Sequence, residues 1–429
     1  MIALTLFSVF VVLLVISAPI ATALGLSTVA ALLVEGSIPL TVVVQKVFAA
    51  NNSFPLLAVP FFMFAGAVMT EGGISHRLIN FVYALMSGVR GGLAMVATVT
   101  AMFFAAISGS SAATTAAIGA SIIPGMKQKG YKEDFAAAVI AAAGTTGIVI
   151  PPSTPLVVFG VVAGVSIGDL FLGGVLPGFL MGLAMMTVIY IMASGGNYQK
   201  ETEAEKKQRP GIWVVFKDAV WGLLMPVIIL GGIYGGIFTP TESAVVASFY
   251  GLAVTMLIYK TVSLKDVPRI TGKAVLQTAM IMFIISMANV FAWLLTANRI
   301  PQEIAAYILG VTENPICIML LINVLLLWVG TFLNATAAIS ILVPVLLPVI
   351  TKVGIDPVAF GVIMTVNLAI GCITPPVGVD LFVAQGVTGI SIERITRAIW
   401  PFMLSLITVL AIITIFPQII LFMPNLMAS

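Results

Sequence analysis

Histidine occurs once in these 429 residues, as His76, and cysteine twice, as Cys317 and Cys372, each alone in an apolar stretch. Such scarcity leaves no ligand set for a metal centre and no disulfide framework. Charge is almost as sparse: Asp, Glu, Lys and Arg make up 8% of the chain, against roughly a quarter in soluble domains. A net charge of +3 over scattered bases offers no nucleic-acid surface. There is no zinc-protease helix, no phosphate-cradling Gly-Lys-Ser/Thr loop, and no nucleophile–base pair on which an enzyme could be built.

What is abundant is apolar sequence, at 60% of residues. A membrane span needs about 20 apolar residues, and runs of that kind recur from Leu4 to Leu24, through Trp213–Phe238, to Pro401–Phe422. The composition predicts an all-α polytopic membrane protein of about eleven spans plus interrupted segments, since the alternating pattern of a membrane barrel is absent. The first run lacks a basic n-region and a small-residue cleavage site, so it reads as a retained span.

Two proline pairs, Pro151-Pro152 and Pro375-Pro376, lie 224 positions apart inside such segments. Each proline lacks a donor and clashes with the preceding turn, so each pair must break its helix. In lipid the freed carbonyls are tolerated only around a protein-lined cavity. The same shift pairs Pro124 with Pro348, Gly130 with Gly354, Gly147 with Gly371 and Pro177 with Pro401. A two-fold repeat with helix breaks at matching positions is the pattern of a transporter whose ion and substrate sites lie between the repeats.

Short loops rich in Lys and Arg stay cytoplasmic. Met126–Asp134 carries Lys127, Lys129 and Lys132, while its counterpart Thr351–Pro357 carries only Lys352, with Asp356. Equivalent loops therefore prefer opposite sides, which makes the repeat inverted. The polar linker with Lys200, Lys206, Lys207 and Arg209 should be cytoplasmic, and both uncharged termini periplasmic. His76–Arg90 and Arg299–Leu309, short and mixed in character, suit arms lying at the interface. Trp293, Trp328 and Trp400 read as interface anchors or packing groups.

Ser108–Ala120 reads SGSSAATTAAIGA, with Ser108, Ser110, Ser111, Thr114 and Thr115, and Gly144–Pro155 reads GTTGIVIPPSTP, with Thr145, Thr146, Ser153 and Thr154. Gly330–Ser340, GTFLNATAAIS, and Gly371–Asp380, GCITPPVGVD, add Thr331, Asn334, Thr336 and Thr374. One reading is tight packing of small residues, with hydroxyls bonded back to their own helices. The other is two re-entrant hairpin tips that each meet a helix break and together supply oxygen to a small hard cation. The half-helices after the proline pairs present N-terminal amides, which favour an anionic substrate between the breaks, where Ser153, Thr154, Val377 and Asp380 lie. Asp380, an ionisable group at that depth, is either a substrate contact or a partner of its helix dipole. Thr239-Pro240-Thr241-Glu242 reads as a helix-capping box.

At these residues the chain closely resembles the large membrane subunit of tripartite ATP-independent periplasmic (TRAP) transporters. Phe61–Ser75, Ser108–Gly119, Gly130–Gly160, Gly235–Ala244 and Thr374–Val387 carry the likeness, which covers essentially the whole chain. The resemblance implies a bacterial inner-membrane protein with an elevator mechanism. It divides the chain into scaffold halves at 1–73 and 212–298, interfacial arm helices at 74–91 and 299–312, a cytoplasmic linker at 195–211, and transport-domain repeats at 92–194 and 313–429. It implies two or more coupling sodium ions: the first on Ser108, Ser111, Gly147, Ile150 and Pro152, the second on Gly330, Asn334, Gly371, Thr374 and Val377, several through carbonyls. It further implies a small four-helix membrane subunit and a periplasmic protein that delivers an organic acid. Many relatives specific for four-carbon dicarboxylates look to have Asn where this chain has Asp380. An acidic group there is awkward beside a dianion, which leans the expectation towards a sialic acid-like monocarboxylate. A proton-coupled or binding-protein-independent carboxylate carrier of related fold is the alternative.

Overall fold

A computed structural model describes residues 2–86, 88–89, 91–194, 211–312 and 314–428. The linker with Lys200, Lys206, Lys207 and Arg209 falls outside the described residues, as do Arg90 and the first and last residues. All regular structure among the described residues is helical. The first half comprises α1 (Ile2–Val15), α2 (Ile20–Glu35), α3 (Thr41–Asn51), α4 (Ala58–Glu71), α5 (Ile74–Met86), α6 (Gly92–Ser108), α7 (Ser111–Gln128), α8 (Glu133–Gly144), α9 (Thr154–Ala163) and α10 (Ile167–Ser194). The second comprises α11 (Ile212–Tyr234), α12 (Pro240–Ala253), α13 (Val267–Ala297), α14 (Ile300–Val311), α15 (Pro315–Gly330), α16 (Ala335–Lys352), α17 (Pro357–Gly371), α18 (Val379–Thr388), α19 (Ile392–Ile415) and α20 (Gln418–Ala428).

Seven helical segments are long and apolar enough to cross a membrane, and eight shorter apolar helices accompany them among the described residues. Full-length spans are thus fewer than the eleven expected, because breaks cut several apolar runs. The run Leu4–Leu24 is two helices, parted at Ile16–Pro19, where Ser17 turns to φ 63° and Pro19 precedes α2. Pro401–Phe422 likewise spans the end of α19 and a fresh start at Gln418 after Pro417. Trp213–Phe238 stops sooner than its apolarity suggests, at Tyr234, before Gly235 and Gly236.

The 224-residue register is written into the helices. Moving α7 along by that shift lands on both ends of α16, and Pro124 and Pro348 occupy the same turn of each. Gly130 and Gly354, which follow these helices, both take left-handed φ, 77° and 76°. Pro177 and Pro401 both lie inside the long helices α10 and α19. The register is broken where α13 runs straight through while its counterpart is cut into α3 and α4 around Ser53-Phe54-Pro55, and it slips by four or five residues between α1–α2 and α11–α12. Asn51 on α3 donates to the Ser286 hydroxyl of α13 at 2.7 Å and ties the cut helix to the intact one.

At the centre lie α8 and α17, buried from Phe135 to Gly144 and from Ala359 to Gly371. Runs of Ala in α8 let neighbouring backbones approach, which is how helices associate where lipid removes the hydrophobic drive. Large side chains such as Val44, Phe48, Leu320 and Val324 face outwards, as lipid contact requires. The second repeat carries a polar tether across its helices, in which Asn367 donates to Asn323 at 2.8 Å and Asn323 to Thr414 at 2.9 Å. The counterparts of those residues are Ala143, Val99 and Tyr190. Helix α5 buries one face, Ile74, Leu78, Ile79 and Val82. Arg77 fixes it to α11 through Asp218 at 3.1 Å while lying 3.8 Å from the Tyr259 ring. The capping box forms as read, with Thr239 N–H to Glu242 at 2.8 Å and Glu242 N–H to the Thr239 hydroxyl at 3.3 Å. Trp328 and Trp400 are outward-facing, and Trp293 lies 5.5 Å from the Lys46 ammonium.

Candidate functional site

The first hairpin turns at Gly109, whose φ of 61° closes α6, and Ser110 then caps α7 by accepting from Ala113 N–H at 3.4 Å. The first break follows α8 as a single 3-10 turn, Thr145–Ile148, then a cis Pro151-Pro152 bond, then Ser153, which caps α9. Tip and break touch: Thr154 N–H donates to the Gly109 carbonyl at 3.5 Å. Gly147 packs so closely that a Cβ there would sit 2.6 Å from the Ser110 carbonyl oxygen and 2.7 Å from the Thr114 hydroxyl.

The second half repeats the arrangement. Asn334, 224 positions after Ser110, caps α16 by accepting from Ala337 N–H at 2.9 Å. A turn and a cis Pro375-Pro376 bond follow α17, and Gly378 N–H donates to the Thr331 carbonyl of the hairpin at 3.2 Å. Gly378 and Thr154 hold equivalent positions, so the same donor anchors each break to its tip. Gly371 meets Gly330 backbone to backbone, with no room for a side chain.

The hydroxyls at these contacts mostly donate to their own backbone: Thr145 to Ala142 at 2.6 Å, Thr146 to Ala143 at 2.7 Å, Ser153 to Ile148 at 2.5 Å and Thr374 to Ile370 at 2.7 Å. The packing reading therefore holds for their protons. It does not exhaust their chemistry, because a hydroxyl that donates inward keeps lone pairs for a cation. Ser108 and Thr114 share a 2.8 Å hydrogen bond, and Thr114 also donates to the Ser110 carbonyl at 2.8 Å.

Of the residues expected at the first ion site, Ser108, Gly147 and Pro152 converge on the Gly109–Ser110 turn. The other two lie elsewhere: Ser111 in the wall of the cleft described below, and Ile150 against Gly178 of α10. At the second, Gly330, Gly371 and Val377 gather at the Thr331 turn, while Thr374 reaches Met403 of α19 at 3.6 Å and Asn334 stands at the tip.

Between the two tips and the two breaks lies a cleft of about 220 Å³. Its walls are the starts of α7 (Ser110, Ser111), α9 (Thr154, Pro155), α16 (Asn334–Thr336) and α18 (Val379), with Met63 of α4 and Ile281 of α13 facing them. Four helix N-termini thus point into one space, and each carries a positive partial charge of roughly half a unit. The four partner helices, α6, α8, α15 and α17, bring their carbonyl ends to the tip–break contacts instead. The electrostatics favour an anion in the cleft and cations beside it.

Among the expected substrate residues only Thr154 lines the cleft. Ser153 spends its hydroxyl on the cap, and Val377 precedes Gly378, the donor of the second tip contact. Asp380 stands directly behind the wall, fully buried, with its N–H on the Cys372 carbonyl at 2.9 Å and neither carboxylate oxygen hydrogen-bonded. Sequence reasoning missed Cys372, Met63 and Ile281. The last two carry no polar signal, and only their helix partners reveal them. A larger cleft, about 570 Å³, opens far from both tips between Gly160–Leu172 and Ile233–Thr241 and is mainly apolar.

The chain matches the family described as "Tripartite ATP-independent periplasmic transporter, DctM component" over residues 7–419. It is 46% identical, over 97% of its length and 65% of the relative's, to an isethionate TRAP transporter permease protein DctMQ of Oleidesulfovibrio alaskensis. The chain therefore spans less than two thirds of that relative. It is 44% identical over 89% of its length and 88% of the relative's to a C4-dicarboxylate TRAP transporter large permease protein DctM of Pseudomonas aeruginosa. With a sialic acid TRAP transporter large permease protein SiaM of Vibrio cholerae it shares 38% over 95% of both chains. The crystal structure of the Alcanivorax borkumensis YdaH transporter shares the fold, with a TM-score of 0.64 over 87% of this chain and 86% of that one, at 16% identity.

Proposed function

This chain belongs to the DctM-component family of tripartite ATP-independent periplasmic transporters, and from that membership we propose that it is the large membrane subunit of a sodium-coupled importer of a singly charged organic acid. It is a multi-pass transporter component and not an enzyme. The carrying observation is the division of helix ends: four N-termini around one cleft, four C-termini at the two contacts that flank it. The acid occupies the cleft, and sodium ions occupy the oxygen-rich contacts at Ser108/Gly147/Pro152 and Gly330/Gly371/Val377.

Relatives named for isethionate, for C4-dicarboxylates and for sialic acid bracket the substrate class. Asp380 supports the monoanions in that set, because a buried carboxylate one residue behind the wall repels the second charge of a dianion. A sialic acid-like carboxylate or a small sulfonate fits, with substrate hydroxyls reaching the unpaired Asp380 oxygens.

The transport repeats 92–194 and 313–429 move as an elevator against the scaffold 1–73 and 212–298, with 74–91 and 299–312 as arms. The cleft supports that division, since the scaffold supplies only Met63 and Ile281 to its wall. Lys127, Lys129 and Lys132 set their loop in the cytoplasm and both termini in the periplasm. There Lys127 pairs with Glu133 at 2.7 Å and holds that carboxyl below its ordinary range. A small membrane subunit and a periplasmic binding protein complete the system in the inner membrane.

Movement of this kind needs a smooth crossing. At Gly66 of α4 a Cβ would stand 3.3 Å from the Ile107 carbonyl and 3.4 Å from the Ser108 Cα. Gly66→Val should therefore wedge the hairpin tip against the scaffold, at roughly 1–3 kcal/mol. Protein yield and assembly should stay near normal while uptake falls about tenfold or more, as about 1.4 kcal/mol predicts. Normal uptake by that variant would show that the tip does not slide past α4.

The function itself is tested by uptake of radiolabelled isethionate, sialic acid and succinate into proteoliposomes holding this chain, its small subunit and the cognate binding protein. Monoanion uptake that vanishes without the binding protein supports the proposal. Uptake confined to succinate would overturn the role given to Asp380.

A further inference from the structure

A second chamber, about 210 Å³, adjoins the cleft and shares Met63 and Ser110 with it. Its far end is charged. Along α13, Ile281 faces the cleft, Gln277 lies one turn away and Lys273 another turn on, so one stripe of a single helix grades from apolar to cationic over about 12 Å. Opposite, Met63, Thr70 and Glu71 make the same progression along α4. Of the residues lining the two chambers, Lys273 alone is a cation.

Lys273 is held in a way that lets it leave. Its ammonium lies 2.5 Å from one oxygen of Glu71, while Arg269 donates to both oxygens of the same carboxylate at 3.1 and 3.0 Å. If Lys273 swings away, Glu71 keeps one guanidinium nitrogen of Arg269 across both its oxygens and no anion is stranded. Lysine, a point charge on a flexible stem, suits the part that exchanges partners; arginine suits the part that stays.

We infer that this chamber is a transit station for the substrate, in which Lys273 leaves Glu71 to take the acid group as it passes the hairpin tip at Ser108 and Ser110. The inference rests on the reading of the cleft as an organic-anion site. Lys273 acts on one face of the membrane only, so it shapes affinity from its own side and leaves the opposite side alone. Gln277, on the same stripe, offers the passing acid a neutral hydrogen bond before the charged one.

Oriented proteoliposomes of the complete complex test this by counterflow from each face, with whichever of isethionate, sialic acid and succinate the wild type carries. Lys273→Gln should raise the half-saturating concentration on the Lys273 face about tenfold, as loss of one charge-assisted hydrogen bond predicts. The opposite face should be unchanged, Lys273→Arg should restore most of the loss, and Glu71→Gln, which breaks the same ion cluster but frees Lys273, should leave the Lys273 face as tight as wild type or tighter. Equal changes at both faces, or equal losses in Lys273→Gln and Glu71→Gln, would reduce the cluster to a structural clamp and overturn the inference. Wild-type vesicles that carry none of the three acids would instead overturn the reading of the cleft.

Discussion

Alanine at Gly371 should abolish most uptake without unfolding the protein. The added Cβ would sit 2.6 Å from the Cα and the carbonyl carbon of Gly330 and 2.8 Å from its oxygen. All three are backbone atoms, which cannot rotate aside as a side chain can. Hairpin tip and helix break must part, at roughly 1–3 kcal/mol, and the carbonyls proposed to hold the second sodium ion part with them. Sodium affinity should fall about ten- to a hundredfold. Gly147→Ala should act alike at the first site, where the Ser110 carbonyl oxygen lies 2.6 Å away. Gly386→Ala is the control: nothing lies within 4 Å of its Cβ position, so uptake should not change. Equal uptake by all three variants would remove the tip–break contacts from the mechanism.

Asp380→Asn should exchange the charge preference of the cleft. The side chain is fully buried and neither oxygen has a partner, an arrangement that costs several kcal/mol unless a ligand answers it. Asparagine keeps the shape and removes the repulsion. Half-saturation for succinate should then improve about tenfold, and for a hydroxylated monoanion worsen by a like factor. Competition of unlabelled acids against labelled substrate reads both changes at once. Asp380→Asn that leaves the preference unaltered would make the carboxylate a dipole partner of α18 and nothing more.

The repeat was legible in the sequence because proline and glycine act locally. Gly130, Gly354 and the two proline pairs each force a backbone event where they stand, and Pro124 and Pro348 keep the same register inside α7 and α16. The breaks at Ile16–Pro19 and Phe416–Pro417 were not legible, because a run of Leu, Ile and Val stays apolar across a helix end. Site chemistry divides in the same way. Ser110 and Asn334 were recoverable, both being hydrogen-bonding caps 224 positions apart. The place of Ser111 in the cleft wall, and the Met63 and Ile281 walls, depend on how separate helices pack, for which one chain carries no local signal.

A sodium titration of uptake by the complete complex, with the wild type beside Gly147→Ala and Gly371→Ala, probes the paired contacts at their root. Two coupled cation sites predict no uptake without sodium, a Hill coefficient of about two in the wild type, and about one in each variant. Uptake indifferent to sodium but driven by a proton gradient would contradict both sites, shift the coupling to Asp380, and leave the hydroxyl-rich tips as packing.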